Sequence, residues 1–263
     1  MTVQTLSLLD AAARVDSAKA LFVDWDGCLA AGNDLLPGAR RFLATYGGKV
    51  HIMSNNSTRL PQDLCAFLDR RGIHIPVNRI FLAGHCAITQ ARTRYSKVFL
   101  LGNQQMHAFA HGIGLTLTAE TPDAVILLRD TTLTYDKLTT AVNLVAAGVP
   151  LLVANPDRTH PGQNSVLTPE TGALLAAITA CLPKGTPKLE VIGKPHGLLF
   201  DLALAKCRAR PDEVVMIGDS PDTDIQGART AGLQSILVDR NSEVSINSIT
   251  EMAAPLVGGQ ALA

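Results

Sequence analysis

The sequence predicts an α/β fold built on a mainly parallel sheet, and three observations carry that reading. Short runs rich in Val, Ile, Leu and Phe recur between amphipathic stretches, the pattern of strands buried on both faces under helices. Nearly all of these runs are too short to be helices. Prolines open and glycines close several of the intervening segments, the asymmetry expected at helix starts and stops.

In chain order, the apolar run Ala20–Asp24 is the first strand, followed by a helix over Pro37–Tyr46 with proline in its first turn. A strand over Val50–Ser54, a helix over Pro61–Arg71 ended by Gly72 and a strand over Arg79–Ala83 come next. The middle of the chain repeats the alternation: strand Val98–Leu101, helix Gln104–His111, strand Ala124–Leu128, helix Tyr135–Ala147 ended by Gly148, strand Pro150–Ala154 and helix Pro169–Cys181. Strand Glu190–Ile192, helix Gly197–Cys207, strand Glu213–Ile217, helix Thr223–Ala231 and strand Ser235–Val238 complete it. Strands alternating with helices indicate parallel crossovers. There is no internal repeat and no low-complexity segment.

Composition narrows the function. With 263 residues and 47% apolar content, the chain can bury one large core or two ordinary ones. Lys plus Arg and Asp plus Glu are 23 each, so no basic face is expected for a nucleic-acid backbone. The first twenty residues lack a basic segment followed by an apolar one, and the most apolar stretch is broken by Gly148 and Pro150. The chain therefore reads as soluble and cytoplasmic, with no membrane partner. Five widely spaced cysteines without a C-x-x-C pair indicate neither a disulfide framework nor a zinc site. The glycosylation-type tripeptides at Asn55 and Asn56 read as chance matches without a secretory segment.

Three strands end in polar clusters: Asp24-Trp25-Asp26-Gly27, Ser54-Asn55-Asn56-Ser57 and Gly218-Asp219-Ser220-Pro221-Asp222-Thr223-Asp224. In open α/β sheets, ligands bind at the carboxyl ends of strands. Asp24 and Asp26 alone read better as turn formers. With Asp219, Asp222 and Asp224 at another strand end, the pooled carboxylates repel unless a hard cation joins them, and all-oxygen donors suit Mg²⁺. Lys194, between Gly193 and Pro195, is either a solvated surface charge or an ammonium fixed to neutralise an anion. The Ser54–Ser57 turn can donate to oxygens. Together these groups suit phosphoryl transfer.

The four clusters, in this order, resemble the four motifs of the haloacid dehalogenase superfamily. Asp26 and Ser54 lie 28 positions apart, leaving no room for a cap, whereas Ser54 and Lys194 are separated by 140. That spacing resembles the subgroup with the second-type α/β cap, which includes the NagD-like, 4-nitrophenyl phosphate and pyridoxal phosphate phosphatases. The strings Leu133-Thr134-Tyr135-Asp136-Lys137-Leu138 and Ala154-Asn155-Pro156-Asp157 resemble it too, and the likeness spans roughly Ala20 to Asp239.

The resemblance implies a Rossmann-like core over 1–83 and 189–263 and a cap over 84–188. It implies that Asp24 is the nucleophile, forming an aspartyl-phosphate, and that Asp26 is the acid and then the base. Mg²⁺ would be held by Asp24, the Asp26 carbonyl and Asp219, with Asp224 behind them. Ser54, Asn55, Asn56 and Lys194 would hold the phosphoryl group. An acid at position 26 excludes the dehalogenase chemistry of the same superfamily, because a halide leaves without a proton. The subgroup often pairs through its caps, so a homodimer is compatible with the resemblance.

His160 matches a cap-loop histidine of the pyridoxal phosphate phosphatases, although a lone loop histidine is often unremarkable in function. It points to a ring-bearing substrate such as pyridoxal or pyridoxine 5′-phosphate. The alternatives are a sugar- or nucleotide-monophosphate phosphatase of the same subgroup, or a non-catalytic phosphometabolite-binding protein, against which the presence of Asp24 and Asp26 counts. Arg129 and the stretch Thr168-Pro169-Glu170-Thr171-Gly172 depart from the subgroup pattern, which weakens inference about substrate. Cys28 reads as a small buried hydrophobe or a redox-sensitive thiol, and Trp25 as a packing residue.

Overall fold

The computed structural model describes residues 6–161, 166–183 and 188–252. These residues divide into two compact units. One is drawn from Met1–Met53, Cys65–Ile80 and Phe200–Ala263, and the other from Ser54–Leu64 and Phe81–Leu199.

A five-stranded sheet runs in the order Gln234–Leu237, Val214–Gly218, Ala20–Asp24, Val50–Ser54, Ile80–Leu82. The three central strands pair in parallel and are buried at every residue, which is why the sequence shows continuous apolar runs and no alternation. Strand Ala20–Asp24 has the next strand of this sheet, Val50–Ser54, on one side and a much later one, Val214–Gly218, on the other. Its carboxyl end is therefore a topological switch point, where ligands bind in such sheets. Asp24 sits there, with Met53 opposite it in register.

The second unit contains a parallel sheet ordered Leu189–Val191, Leu151–Val153, Ala124–Leu127, Lys97–Leu101, Thr116–Leu117. Val125, Leu127, Leu151 and Val153 pack with Val145 and Ile178 of helices Tyr135–Ala146 and Thr171–Ala180. Side-chain caps start several helices: Ser7 accepts from Asp10 N, Asn103 from Met106 N, and Thr134 from Lys137 N. A short antiparallel pair, Thr159–Pro161 with Leu167–Pro169, carries His160 opposite Thr168. Of the stretch Gly162 to Glu170, residues 162–165 lie outside those described.

Several elements differ from expectation for identifiable reasons. Helix Ala83–Arg92 begins with a small residue and Gly84, a weak helix signal, so its first residue reads as the end of a strand. The helix expected over Thr223–Ala231 is a wide turn, Pro221–Ile225, followed by a short helix, Gln226–Thr230. The helix expected from Pro169 starts at Thr171, because Pro169 belongs to a strand and Glu170 caps the helix. Helices Leu8–Ser17 and Ile246–Met252 were not expected. Among the described residues, no helix is long and apolar enough to cross a membrane.

His51 gives the core a titratable member. It is 5% exposed and packs edge-on against Phe22, with ring centroids 5.7 Å apart. Burial, helped by the charge of Arg79, pushes its imidazole below the usual value. The unfolded chain then binds a proton below about pH 6.5 that the folded chain refuses. Stability from this group is present above that pH and declines as the pH falls towards the folded value. Thermal melts between about pH 7.5 and 5.5 should show the wild type losing more stability than His51→Gln, by up to roughly 1.4 kcal/mol per pH unit.

Candidate active site

Asp24 closes strand Ala20–Asp24, Asp219 follows strand Val214–Gly218, and Asp224 lies in the wide turn beyond it. One carboxylate oxygen from each lies within 4.8 Å of the other two. Asp24 and Asp224 are buried and Asp219 is exposed. The wide turn brings Asp224 back onto its own strand, where Ser220 N donates to its Oδ2 at 3.1 Å. A side chain at Gly218 would collide with that carboxylate. An all-oxygen group of this kind fits a hard divalent cation.

The turn after Asp24 is tight. Leu29 N and Ala30 N both donate to Trp25 O, and Gly27 N donates to Ala30 O at 2.8 Å. Gly27 has φ +95°, and a Cβ there would strike the Asp219 carboxylate, so glycine is needed on both counts. Asp26 is exposed, bridges to Ala30, and its side chain is not part of the carboxylate trio. Trp25 is buried edge-on against Phe67, with centroids 5.6 Å apart. Cys28 is buried, with Sγ 3.8 Å from Ile217 O.

A polar clamp lies in the second unit. Asn55 binds the backbone of Lys194 at both ends: its Nδ2 donates to Lys194 O at 2.9 Å, and its Oδ1 accepts from Lys194 N at 2.8 Å. The same Nδ2 donates to Asp157 Oδ2 at 2.9 Å. A Cβ at Gly193 would collide with Asn55 Oδ1 and Ala154 O, so the clamp closes only over glycine. Lys194 is 2% exposed, and a buried ammonium needs its charge offset from close by. Strand Leu189–Val191 pairs with Leu151–Val153, so Lys194 follows a strand of the second unit's sheet.

Ser54 is buried, and its Oγ accepts from Asn56 N at 3.0 Å. The Asn56 carboxamide oxygen accepts from Thr58 N and Arg59 N, each at 3.0 Å, shaping the loop as an Asx turn does. His160 Nδ1 lies 2.9 Å from Glu170 Oε1 but out of line for a hydrogen bond. Arg129 NH1 donates to the same oxygen at 3.0 Å. Burial pushes the Glu170 carboxyl up, against the opposing pull of Arg129 and His160. Sequence reasoning did not assign roles to Ser57, Asn155, Asp157 or Thr171. All four lie in strings quoted from the sequence, but none of those strings shows which residues meet in the fold.

Known proteins match this arrangement. The family of haloacid dehalogenase-like hydrolases matches residues 21–116, and the HAD-hydrolase-like family matches residues 191–247. The dihydroxyacetone phosphatase of Corynebacterium glutamicum is 32% identical over 220 residues, which is 82% of this chain and 78% of that protein. The solved structure of NagD from Escherichia coli aligns with a TM-score of 0.75 at 28% identity, covering 84% of this chain and 88% of that one. A Mycobacterium tuberculosis glycerol phosphate phosphatase solved in complex with magnesium aligns with a TM-score of 0.75 at 26% identity, covering 85% and 69%. With a parallel sheet, carboxylates pooled at its switch point and these relatives, the chain belongs to the haloacid dehalogenase superfamily and is a NagD-like phosphomonoester hydrolase acting on small phosphorylated molecules.

Proposed function

We propose that the enzyme is a Mg²⁺-dependent phosphatase that works through a phosphorylated Asp24. The observation that carries this is the grouping of Asp24, Asp219 and Asp224 within 4.8 Å at the ends of neighbouring strands. Asp24, the Asp26 main-chain carbonyl and Asp219 would hold the ion, with Asp224 fixing their surroundings. When bound, the ion offsets the negative charge that otherwise keeps a phosphate dianion from a carboxylate.

An Asp24 oxygen attacks phosphorus, the bond to the ester oxygen breaks, and Asp26 gives that oxygen its proton. Asp26, now a carboxylate, takes a proton from the water that cleaves the acyl phosphate, restoring both aspartates and releasing phosphate. Its exposure suits a group that exchanges protons with leaving group and water. Ser54, the Asn55 amide and Lys194 receive the phosphoryl oxygens, with Asn56 shaping their loop. The segment 84–188 serves as the cap that selects substrate, on a core formed by 1–83 and 189–263.

For the leaving group, Arg129 and Glu170 form a hydrogen-bonded ion pair with His160 beside it, polar surroundings that favour a small hydroxylated phosphate of the triose or sugar type. The similarity to a dihydroxyacetone phosphatase agrees. A second reading, pyridoxal or pyridoxine 5′-phosphate, rests on His160 alone. Membership of the family speaks against a non-catalytic binding protein. Phosphate release from a panel of triose, sugar, nucleotide and pyridoxal phosphates, with Mg²⁺ and with excess EDTA, tests both parts. Activity is expected only with the metal, with higher kcat/KM for the triose and sugar phosphates. A preference for the pyridoxal compounds would transfer the assignment to the second reading, and undiminished turnover in EDTA would remove the metal.

A further inference from the structure

Three buried polar side chains from three separate segments, one of them in the Ser54–Ser57 loop itself, are joined by hydrogen bonds. Asn155, Thr171 and Ser57 are 1%, 0% and 2% exposed. Asn155 Nδ2 donates to Asn55 O at 2.7 Å and to Thr171 Oγ1 at 3.2 Å, and Asn155 Oδ1 accepts from Asp157 N at 3.1 Å. Thr171 Oγ1 and Ser57 Oγ share a hydrogen bond at 3.2 Å. Arg129 N donates to Ser57 Oγ at 3.1 Å, Arg129 NH1 binds Glu170 Oε1, and Glu170 Oε2 accepts from Thr171 N at 3.2 Å. The bonds thus form a closed ring through Thr171, Ser57, Arg129 and Glu170, with Asn155 linking that ring to Asn55.

The link falls on one peptide group. Asn55 C=O and Asn56 N–H belong to the same amide plane; the carbonyl end accepts from Asn155, and the N–H end donates to Ser54 Oγ. Rotating the plane would break both bonds. Donors that act on developing charge are effective only when held in place beforehand. Burying so many polar atoms costs stability unless each is satisfied, and an apolar cluster would pack helix Thr171–Ala180 at lower cost.

We propose that Asn155 and Thr171 are positioning residues for phosphoryl transfer, holding the Asn55–Asn56 peptide so that Ser54 and the neighbouring amide face the phosphoryl group, and tying that loop to the segment that carries Glu170. This rests on the reading of Ser54 and Asn55 as phosphoryl-binding groups. Neither residue touches substrate; both act through Asn55.

The test uses full-length Asn155→Leu, Thr171→Val and Thr171→Ser enzymes with 4-nitrophenyl phosphate, reading kcat and KM separately beside the melting temperature. Asn155→Leu is expected to lower kcat about 100-fold with KM changed only about threefold, since a misplaced donor is missed most in the transition state. Thr171→Val should cost about tenfold in kcat, and Thr171→Ser, which keeps the hydroxyl, should stay within about twofold of wild type. Combining Asn155→Leu with Thr171→Val should cost little more than Asn155→Leu alone, because both break one chain of bonds. A wild-type kcat in the folded variants, whatever their melting temperatures, would overturn the inference, and so would a Thr171→Ser enzyme as slow as Thr171→Val. If Asn155→Leu does not fold, the Val and Ser variants at 171 decide the matter. Asp24→Asn separates the two readings: an inactive Asp24→Asn enzyme beside fully active Asn155→Leu and Thr171→Val enzymes refutes only the positioning role, whereas an active Asp24→Asn enzyme refutes the chemistry.

Discussion

Asp24→Asn should abolish Mg²⁺-stimulated hydrolysis of 4-nitrophenyl phosphate, with a loss of at least about 10⁴-fold in kcat, the scale seen when a covalent nucleophile is removed. The carboxamide keeps the shape of the side chain but offers neither the attacking oxygen nor a full negative charge to a cation. Two further readouts separate this loss from unfolding. Wild-type enzyme should be thermally stabilised by Mg²⁺ together with beryllium fluoride, a mimic of the phosphoryl group on a carboxylate, and that stabilisation should vanish in the variant. Mg²⁺ alone should stabilise the variant less than the wild type, because one of the three carboxylates within 4.8 Å has lost its charge. Retained turnover, or an undiminished beryllium fluoride effect, would mean that another group accepts the phosphoryl.

Lys194→Met should lower kcat/KM by about 10²- to 10³-fold, the usual consequence of losing one fixed donor to developing charge. Methionine fills much of the same volume, and the backbone bonds from Asn55 to Lys194 N and O do not involve the side chain that changes. The loss is therefore electrostatic. Lys194→Arg should not restore the rate, since a planar guanidinium does not fit a space shaped, at 2% exposure, around a compact ammonium. Kinetics with 4-nitrophenyl phosphate and competition by inorganic phosphate check this, with phosphate expected to bind more weakly to both variants. Wild-type kinetics in Lys194→Met would make Lys194 a structural lysine.

The sheet that carries Asp24 was legible because its central strands are short, apolar on both faces and end abruptly in aspartate, serine or glycine. The carboxylate trio was legible for the same reason, since burial makes the strand and the strand end locates the acid. Asp222 shows the limit: it shares the cluster in sequence, yet the wide turn selects Asp224 for the interior and leaves Asp222 exposed. The clamp was only half legible. Lys194 stands out between glycine and proline, but its partner Asn55 is 139 positions away. Ser57 and Thr171 are 114 apart, and singly each looks like an ordinary loop or helix-start residue. Helix Ala83–Arg92 was hidden because Gly84, a poor helix former, lies so close to the Ser57 backbone that a larger residue would collide with it. Tertiary packing there overrode local propensity.

Asn55 holds Lys194 by a donor on one side of its carboxamide and an acceptor on the other, and no other natural side chain of that length offers both. Hydrolytic loss of its amide nitrogen would put a carboxylate oxygen 2.9 Å from Asp157 Oδ2 and from Lys194 O, replacing two attractions with two repulsions. Stored preparations would then lose activity through chemical ageing at a single atom, with almost no change in mass.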